Sequence, residues 1–263
     1  MSRRHLTFAC EGAKLVGTLD EAPDKTGLLL VTGGNETRSG AFSGQSRLAS
    51  RIASQGFPVF RFDRRGVGDS EGQNSEFRTS APDIAAALAA FRQATPQLER
   101  VIGFGNCDAA SALMLAKGAG LDALILSNPW TFDHVEEDEE GSEAPPEVVR
   151  DHYRRRLTDP AAIKRLLTGQ VSLRNLVGSL ISALRPAAPP SSLAQDITTG
   201  LAAFSGDVRI LIAERDRTGQ AFLSHWDKAE PRIRKCAGAS HAYVEPDASD
   251  WLDAQILEVL RAG

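Results

Sequence analysis

Gly105-Asn106-Cys107-Asp108-Ala109 sets one thiol between the apolar run Val101 to Phe104 and a helical pattern that begins at Ala109. A reactive side chain in the middle of a Gly-x-nucleophile-x-small sequence sits on a sharp strand-to-helix turn. Small neighbours let the two elements approach, and the backbone is forced into strained angles. A sulfur placed there lies at a helix N-terminus, whose dipole favours a thiolate, and the N–H of Asp108 is aimed at an oxyanion developing on a substrate carbonyl. The carboxylate of Asp108 opposes thiolate formation, so the expectation is a thiol that stays protonated until a base acts. The chemistry implied is covalent catalysis through sulfur.

Such a nucleophile needs a proton acceptor, and His241 is the candidate among the five histidines. It lies in Gly238-Ala239-Ser240-His241-Ala242, a loop of small residues after the last strand pattern, where a side chain can reach back over the sheet edge. His5 begins the first strand, His134 borders an acidic stretch, and His152 and His225 fall in helical patterns, where surface or packing roles are the simpler account. The base in turn needs an orienting carboxylate. Asp216 follows the run Val208 to Ala213 within Glu214-Arg215-Asp216-Arg217-Thr218 and is preferred over Asp133 and Glu214; its plain structural account is a helix N-cap or a partner of a neighbouring arginine. After the third strand, Thr32-Gly33-Gly34-Asn35 lets the backbone come close to a substrate oxygen. The second oxyanion N–H is therefore assigned to Asn35 or Gly34. Arg38 could clamp a carboxylate or phosphate, and Trp130 is a further candidate for substrate contact.

Phe62-Asp63-Arg64-Arg65-Gly66-Val67-Gly68-Asp69-Ser70-Glu71-Gly72 has the wrong glycine spacing for a dinucleotide fingerprint and no helix starting at once. It reads as structural, with Asp69 and Ser70 bonded within the loop. Cys, His and carboxylate residues do not recur at metal-ligand intervals, so neither a metal nor another cofactor is expected.

These residues must be positioned by a sheet. Short β-branched runs alternate with helical patterns, which predicts an α/β fold. The runs are Leu6 to Cys10, Leu15 to Leu19, Leu28 to Thr32, Pro58 to Phe62, Val101 to Phe104, Ala123 to Ser127, Val208 to Ala213 and Ile233 to Cys236. The first two form an antiparallel hairpin and the rest a parallel section. Helices are expected at Ser43 to Gln55, Ala81 to Gln93 and Ala109 to Lys117. After Pro129 the alternation breaks. The acidic run Glu136 to Glu140 reads as a solvated loop, followed by helical candidates at Pro146 to Leu157, Pro160 to Leu167, Leu173 to Leu184 and Ser192 to Phe204. The expected organisation is a core of residues 1–128 and 206–263 with a helical lid, residues 129–205, inserted over the ligand crevice.

The 263 residues are 42% hydrophobic and 24% charged, proportions that exclude a disordered chain or a small disulfide scaffold. The net charge of −4, without a dense basic run, argues against a nucleic-acid partner and leaves a small molecule. No stretch approaches the length of a membrane span, and Met1-Ser2-Arg3-Arg4-His5 leads into a polar-flanked strand, not a secretion signal, so a cytoplasmic protein is expected. The three cysteines, Cys10, Cys107 and Cys236, are odd in number and widely spaced, which supports neither disulfides nor zinc.

Gly33-Gly34-Asn35, Asp63 to Ser70, Gly105 to Ala109, Asp216 and His241 together resemble the α/β-hydrolase superfamily, over nearly the whole chain. The order nucleophile, acid, base is that of these enzymes. The resemblance implies an α/β-hydrolase fold of about eight mostly parallel strands with helices on both faces, and it prefers Asn35 as oxyanion donor because in such hydrolases the donor lies just past the glycines. The elbow departs from the common form by Cys for Ser and Ala for the last Gly; dienelactone hydrolases are similar in carrying cysteine there. More narrowly, positions 105 to 112, Asn128-Pro129-Trp130, His152-Tyr153 and Ser172-Leu173-Arg174 resemble the exosortase A system-associated hydrolases of type 1, bacterial proteins whose genes accompany exopolysaccharide production and protein sorting. The implied activity is hydrolysis of an ester, thioester or lactone through an acyl-enzyme. Acyl transfer by the same residues, or a silent hydrolase-fold binding protein, are the alternatives; dehalogenase chemistry would need a carboxylate where this chain has sulfur.

Overall fold

The computed structural model describes residues 2–74, 76–132, 191–227 and 229–262. Strands β1 (Arg3–Cys10) and β2 (Ala13–Asp20) form the expected antiparallel hairpin, its turn made by Glu11 and Gly12 at φ 46° and 85°. Two successive left-handed residues match the right-handed twist of the strands they join. The hairpin pairs antiparallel with β4 (Val59–Phe62). Strands β3 (Thr26–Val31), β4, β5 (Arg100–Asn106), β6 (Ala123–Ser127), β7 (Asp207–Ala213) and β8 (Ile233–Cys236) are parallel. They build one eight-stranded sheet in the order β1-β2-β4-β3-β5-β6-β7-β8.

Alternation along the central strands divides the core between two faces. Leu29, Val31, Phe60 and Phe62 share one apolar cluster with Ile84 and Phe91 of α2 (Ala81–Ala94) and Leu113 of α3 (Asp108–Leu115). Leu28, Leu30 and Val59 share the other with Ile52 of α1 (Gly44–Ser54) and Ile256 of α6 (Pro246–Arg261). The period of two explains why both layers are apolar, since successive side chains leave a strand on opposite sides. Between β6 and β8, α4 (Ser192–Ala202) buries Leu193, Ile197 and Leu201 in the first cluster, and α5 (Arg217–His225) adds Phe222. The helix α4, expected near Ser192 to Phe204 as part of the insertion, thus packs with the core. The other three helical candidates of the insertion and its acidic run lie outside the described residues. Among the described residues no helix is long and apolar enough to cross a membrane.

Candidate active site

The carboxyl ends of the parallel strands gather the residues singled out by chemistry. Strand β5 runs through Gly105 and Asn106, which pair with Leu126 and Ser127 of β6, and the chain then turns at Cys107. Cys107 holds φ 62° and ψ −128° at the N-cap of α3. A non-glycine residue in such a conformation costs on the order of 1–3 kcal/mol and persists only where its surroundings enforce it. The enforcement is visible: its N–H donates to Ser127 O at 2.9 Å, and its carbonyl accepts from Ala110 at 3.1 Å and Trp130 at 3.3 Å. Close packing adds to it, because a Cβ at Gly105 would lie 2.6 Å from the backbone of Ala109. Cys107 remains partly exposed, whereas Cys10 and Cys236 are buried. Burial, reinforced by a hydrogen bond to Asp83, pushes the Cys10 thiol up to about 11, and burial likewise raises that of Cys236. Raised, buried thiols are inert, which leaves Cys107 as the free cysteine that reaches solvent.

His241 stands beside it. Its Nδ1 donates to Asp216 Oδ1 at 3.0 Å, and it also hydrogen-bonds Cys107. Asp216 is at the same time the N-cap of α5, its Oδ2 accepting from Gly219 N–H at 3.0 Å, so one carboxylate bonds both the helix start and the imidazole. The hydrogen bond to Asp216, then that to Cys107, push the His241 pKa up to about 10 against the opposing effect of desolvation. The carboxylate seen bonded to this imidazole is that of Asp216, and Asp133 lies outside the described residues. Of the other histidines, His5 bonds Thr18 at 3.0 Å on the outer hairpin and His225 bonds its own helix, at Ala221 O.

Two asparagines that the sequence reading passed over hold the histidine loop. Asn128, fully buried with φ 43°, accepts from Ala213 N–H at 2.8 Å and donates to Asn106 Oδ1 at 3.1 Å and His241 O at 3.5 Å. Asn106 in turn donates to His241 O at 3.2 Å. Tyr243 closes the loop, its hydroxyl 3.1 Å from Ser127 Oγ and its ring stacked on Trp251. The ends of β5, β6 and β7 and the loop after β8 are therefore tied through one amide. The available signal is a polar residue closing the apolar run Ala123 to Ser127, of a type that tolerates left-handed backbone.

Across the elbow lies the turn after β3. Gly34, one of the two expected second donors, gives its N–H to the Asp108 carboxylate at 2.7 and 2.8 Å. That corrects the expectation for Gly34, since a donor already paired with a carboxylate is not free for substrate. Asn35 remains, its side-chain oxygen held by Asn74 at 2.6 Å. Asp108 supplies a backbone N–H from the first turn of α3, where N–H groups have no partner within the helix. Its carboxylate faces Gly34 N–H and, 3.7 Å away, the buried guanidinium of Arg64. Burial raises its pKa while Arg64 lowers it. Arg38 is a second correction. Its guanidinium is spent on an ion pair with buried Asp63, on Asp69 at 2.9 Å and on Thr18 at 3.1 Å. It braces the loop from inside and is not presented as a clamp. Trp130 lies against the elbow through its backbone, and its indole N–H donates to Phe132 O at 2.9 Å. Ser70 bonds within its loop as expected, Oγ donating to Asp63 O at 2.7 Å.

Over residues 23–154 the chain matches the family model described as serine aminopeptidase, S33. No curated protein sequence matches it. Among solved structures, the esterase Pf2001 of Pyrococcus furiosus is similar with a TM-score of 0.62 at 15% identity, over 99% of this chain and 90% of that one. Est1E from Butyrivibrio proteoclasticus, solved with ferulic acid bound, gives 0.59 at 13% identity over 96% and 98%. Proline iminopeptidase from Mycobacterium smegmatis gives 0.56 at 14% over 98% and 97%. At these identities the likeness is one of fold.

Proposed function

Because the chain belongs to the serine aminopeptidase S33 family, α/β-hydrolases by fold, we propose that it is a hydrolase working through Cys107, His241 and Asp216 on an ester, thioester or lactone carbonyl. The observation that carries this reading is the single imidazole bonded to a buried carboxylate on one side and to the sulfur of a strained elbow residue on the other. An imidazole that keeps its proton up to about 10 is an imidazolium at neutral pH. The raised pKa of His241 favours the proton on the imidazole as the sulfur attacks, and the Asp108 carboxylate beside the sulfur is engaged by Gly34 and Arg64.

Sulfur attacks the carbonyl carbon, and the carbonyl π pair moves to oxygen, held by the N–H groups of Asp108 and Asn35. The intermediate collapses as His241 gives its proton to the departing oxygen or sulfur, leaving a thioester on Cys107. Water then adds to that thioester while His241 takes its proton. Collapse releases the acid and restores the starting Cys107–His241 pair. Entry of an alcohol or amine in place of water turns the second half into acyl transfer. The family description names a peptidase with serine; cysteine at the elbow favours esters here, because a thiolate leaves a tetrahedral intermediate more readily than an amine does. Residues 129–205, the insertion that follows β6, are the segment we take to select the acyl group. The residues resembling exosortase A system-associated hydrolases make exopolysaccharide production or protein sorting the setting in which a substrate is to be sought.

The test is intact-mass spectrometry after incubation with a mixed panel of esters, thioesters and lactones. An acyl adduct on Cys107, absent from Cys107→Ala, is the expected result, and the adduct mass names the acyl group. No adduct and no turnover across the panel would replace the enzyme with a ligand-binding protein of the same fold.

A further inference from the structure

Gly33 to Glu36 form a tight turn closed by Glu36 N–H donating to Gly33 O at 3.2 Å. Gly34 takes φ 56°, and Asn35 is not among the residues with positive φ. The central peptide of such a turn, Gly34–Asn35, can flip. The flipped form needs positive φ at both central residues, which glycine adopts freely and asparagine tolerates better than most side chains. A Cβ placed on Gly34 would meet nothing within 4 Å, so open space lies on that side of the turn. The consequence matters for the oxyanion. In a planar trans peptide the Gly34 carbonyl and the Asn35 N–H point in opposite directions, so a flip turns the Asn35 donor away from wherever it is aimed.

Two charged side chains from other elements grip this turn. Arg64, buried in the loop after β4, donates from Nη2 to Gly34 O and from Nη1 to Ser80 Oγ at 3.1 Å. Asp108, at the start of α3, takes Gly34 N–H with both oxygens, and its carboxylate lies 3.7 Å from the Arg64 guanidinium. The carbonyl and the N–H of one flexible glycine are thus both fixed, by a cation and an anion that face each other. We propose that Arg64 is a positioning residue that locks the Gly34–Asn35 peptide in the orientation presenting Asn35 N–H to the substrate oxyanion, with Asp108 as its counter-anchor on Gly34 N–H. This gives a role to the Asp63 to Gly72 loop beyond the structural one. The lock rests on the hydrolase reading above and deepens it by naming what holds half of the oxyanion hole.

The experiment is a double-mutant cycle between the lock and the donor, with p-nitrophenyl acetate as the acyl probe and iodoacetamide as a thiol probe that needs no oxyanion hole. Asn35→Pro keeps a negative φ and deletes the N–H on an exposed turn; kcat is expected to fall ~10²–10³-fold, the usual cost of one oxyanion donor. Arg64→Met is expected to lower kcat ~10-fold or more with little change in KM, since a flip removes the same donor for part of the time. Alkylation of Cys107 by iodoacetamide should stay near the parent rate in both variants. In the Asn35→Pro background Arg64→Met should cost nothing further, because the two act through one N–H. Arg64→Lys, which can still donate to Gly34 O, should recover part of the loss. Additive losses in the double variant, an unchanged kcat in Arg64→Met, or alkylation falling in step with acylation would overturn the lock. Should Arg64→Met not melt cooperatively, an unchanged kcat in Asn35→Pro overturns it alone. A parent protein that is alkylated by iodoacetamide but never acylated would instead remove the hydrolase reading, and the lock with it.

Discussion

The chemistry proposed for Cys107 depends on where one proton sits, and that yields predictions for three side chains. A serine hydroxyl has a far higher pKa than a thiol and depends wholly on the base, so Cys107→Ser should keep the parent melting curve and lose most turnover of a reactive ester. A serine variant as active as the parent would remove the case for a tuned thiol. His241→Ala should lower acylation near neutral pH by ~10²–10⁴, the range of general acid–base catalysis. Asp216→Asn reports on the sign of the histidine shift. The folded-state pKa of His241 is raised to about 10, and its proton is needed on the leaving group. Reactivity toward an ester with a poor leaving group should therefore fall as pH rises through that value. Removing the Asp216 charge and bond, the largest cause of the shift, lets the proton leave sooner, and the alkaline limb of kcat/KM should move to lower pH. A limb that stays in place would mean that the titrating group is not His241.

At the scale of elements, the decisive contacts join strand ends far apart in the chain, and this separates what is legible in the sequence from what is not. The eight strands, the hairpin and the elbow are legible because each is a local pattern: apolar runs, Gly105 before the turn, a helical period after it. His241 and Asp216 follow from the same logic, as polar residues just past strand ends. Helix α6 carries Ala248, Leu252, Ile256 and Val259 on its buried side at helical spacing, a readable signal to which no helix is assigned above. By contrast, nothing local to Arg64 says that it reaches Gly34, and nothing local to Arg38 says that Asp63, Asp69 and Thr18 consume it. Asn128 is the clearest such case, because its partners come from β5, β7 and the loop after β8. Asn128→Ala strands the buried Ala213 N–H, which costs about 1–3 kcal/mol, and frees the His241 carbonyl from one of its two donors. Chemical denaturation should show that loss of stability, and kcat/KM should fall beyond what the stability change explains. Wild-type activity in a destabilised Asn128→Ala would show that the amide supports the fold without aligning the histidine.

For the molecule as a whole, the sheet order sets where chemistry can occur. The chain passes from β3 to β4 on one side and returns to place β5 on the other, so the crevice between the ends of β3 and β5 is the topological switch point, where ligands of open α/β sheets bind. The Gly34 turn and the Cys107 elbow are the two walls of that crevice. The two residues Thr131 and Ser191, on either side of residues 133–190, meet at one spot, because Ser191 Oγ donates to Thr131 O and caps α4, which packs on α3. Segments whose two ends already meet on a packed core can be excised with little effect on the core itself. Replacing residues 133–190 by a short Gly-Ser linker from Phe132 to Ser191 should therefore leave cooperative unfolding and selective alkylation of Cys107 intact. Discrimination between acyl groups should change if the excised stretch selects them. Loss of cooperative unfolding on excision would instead make that stretch part of the folding unit, and the division into a two-part core and an insertion would fall.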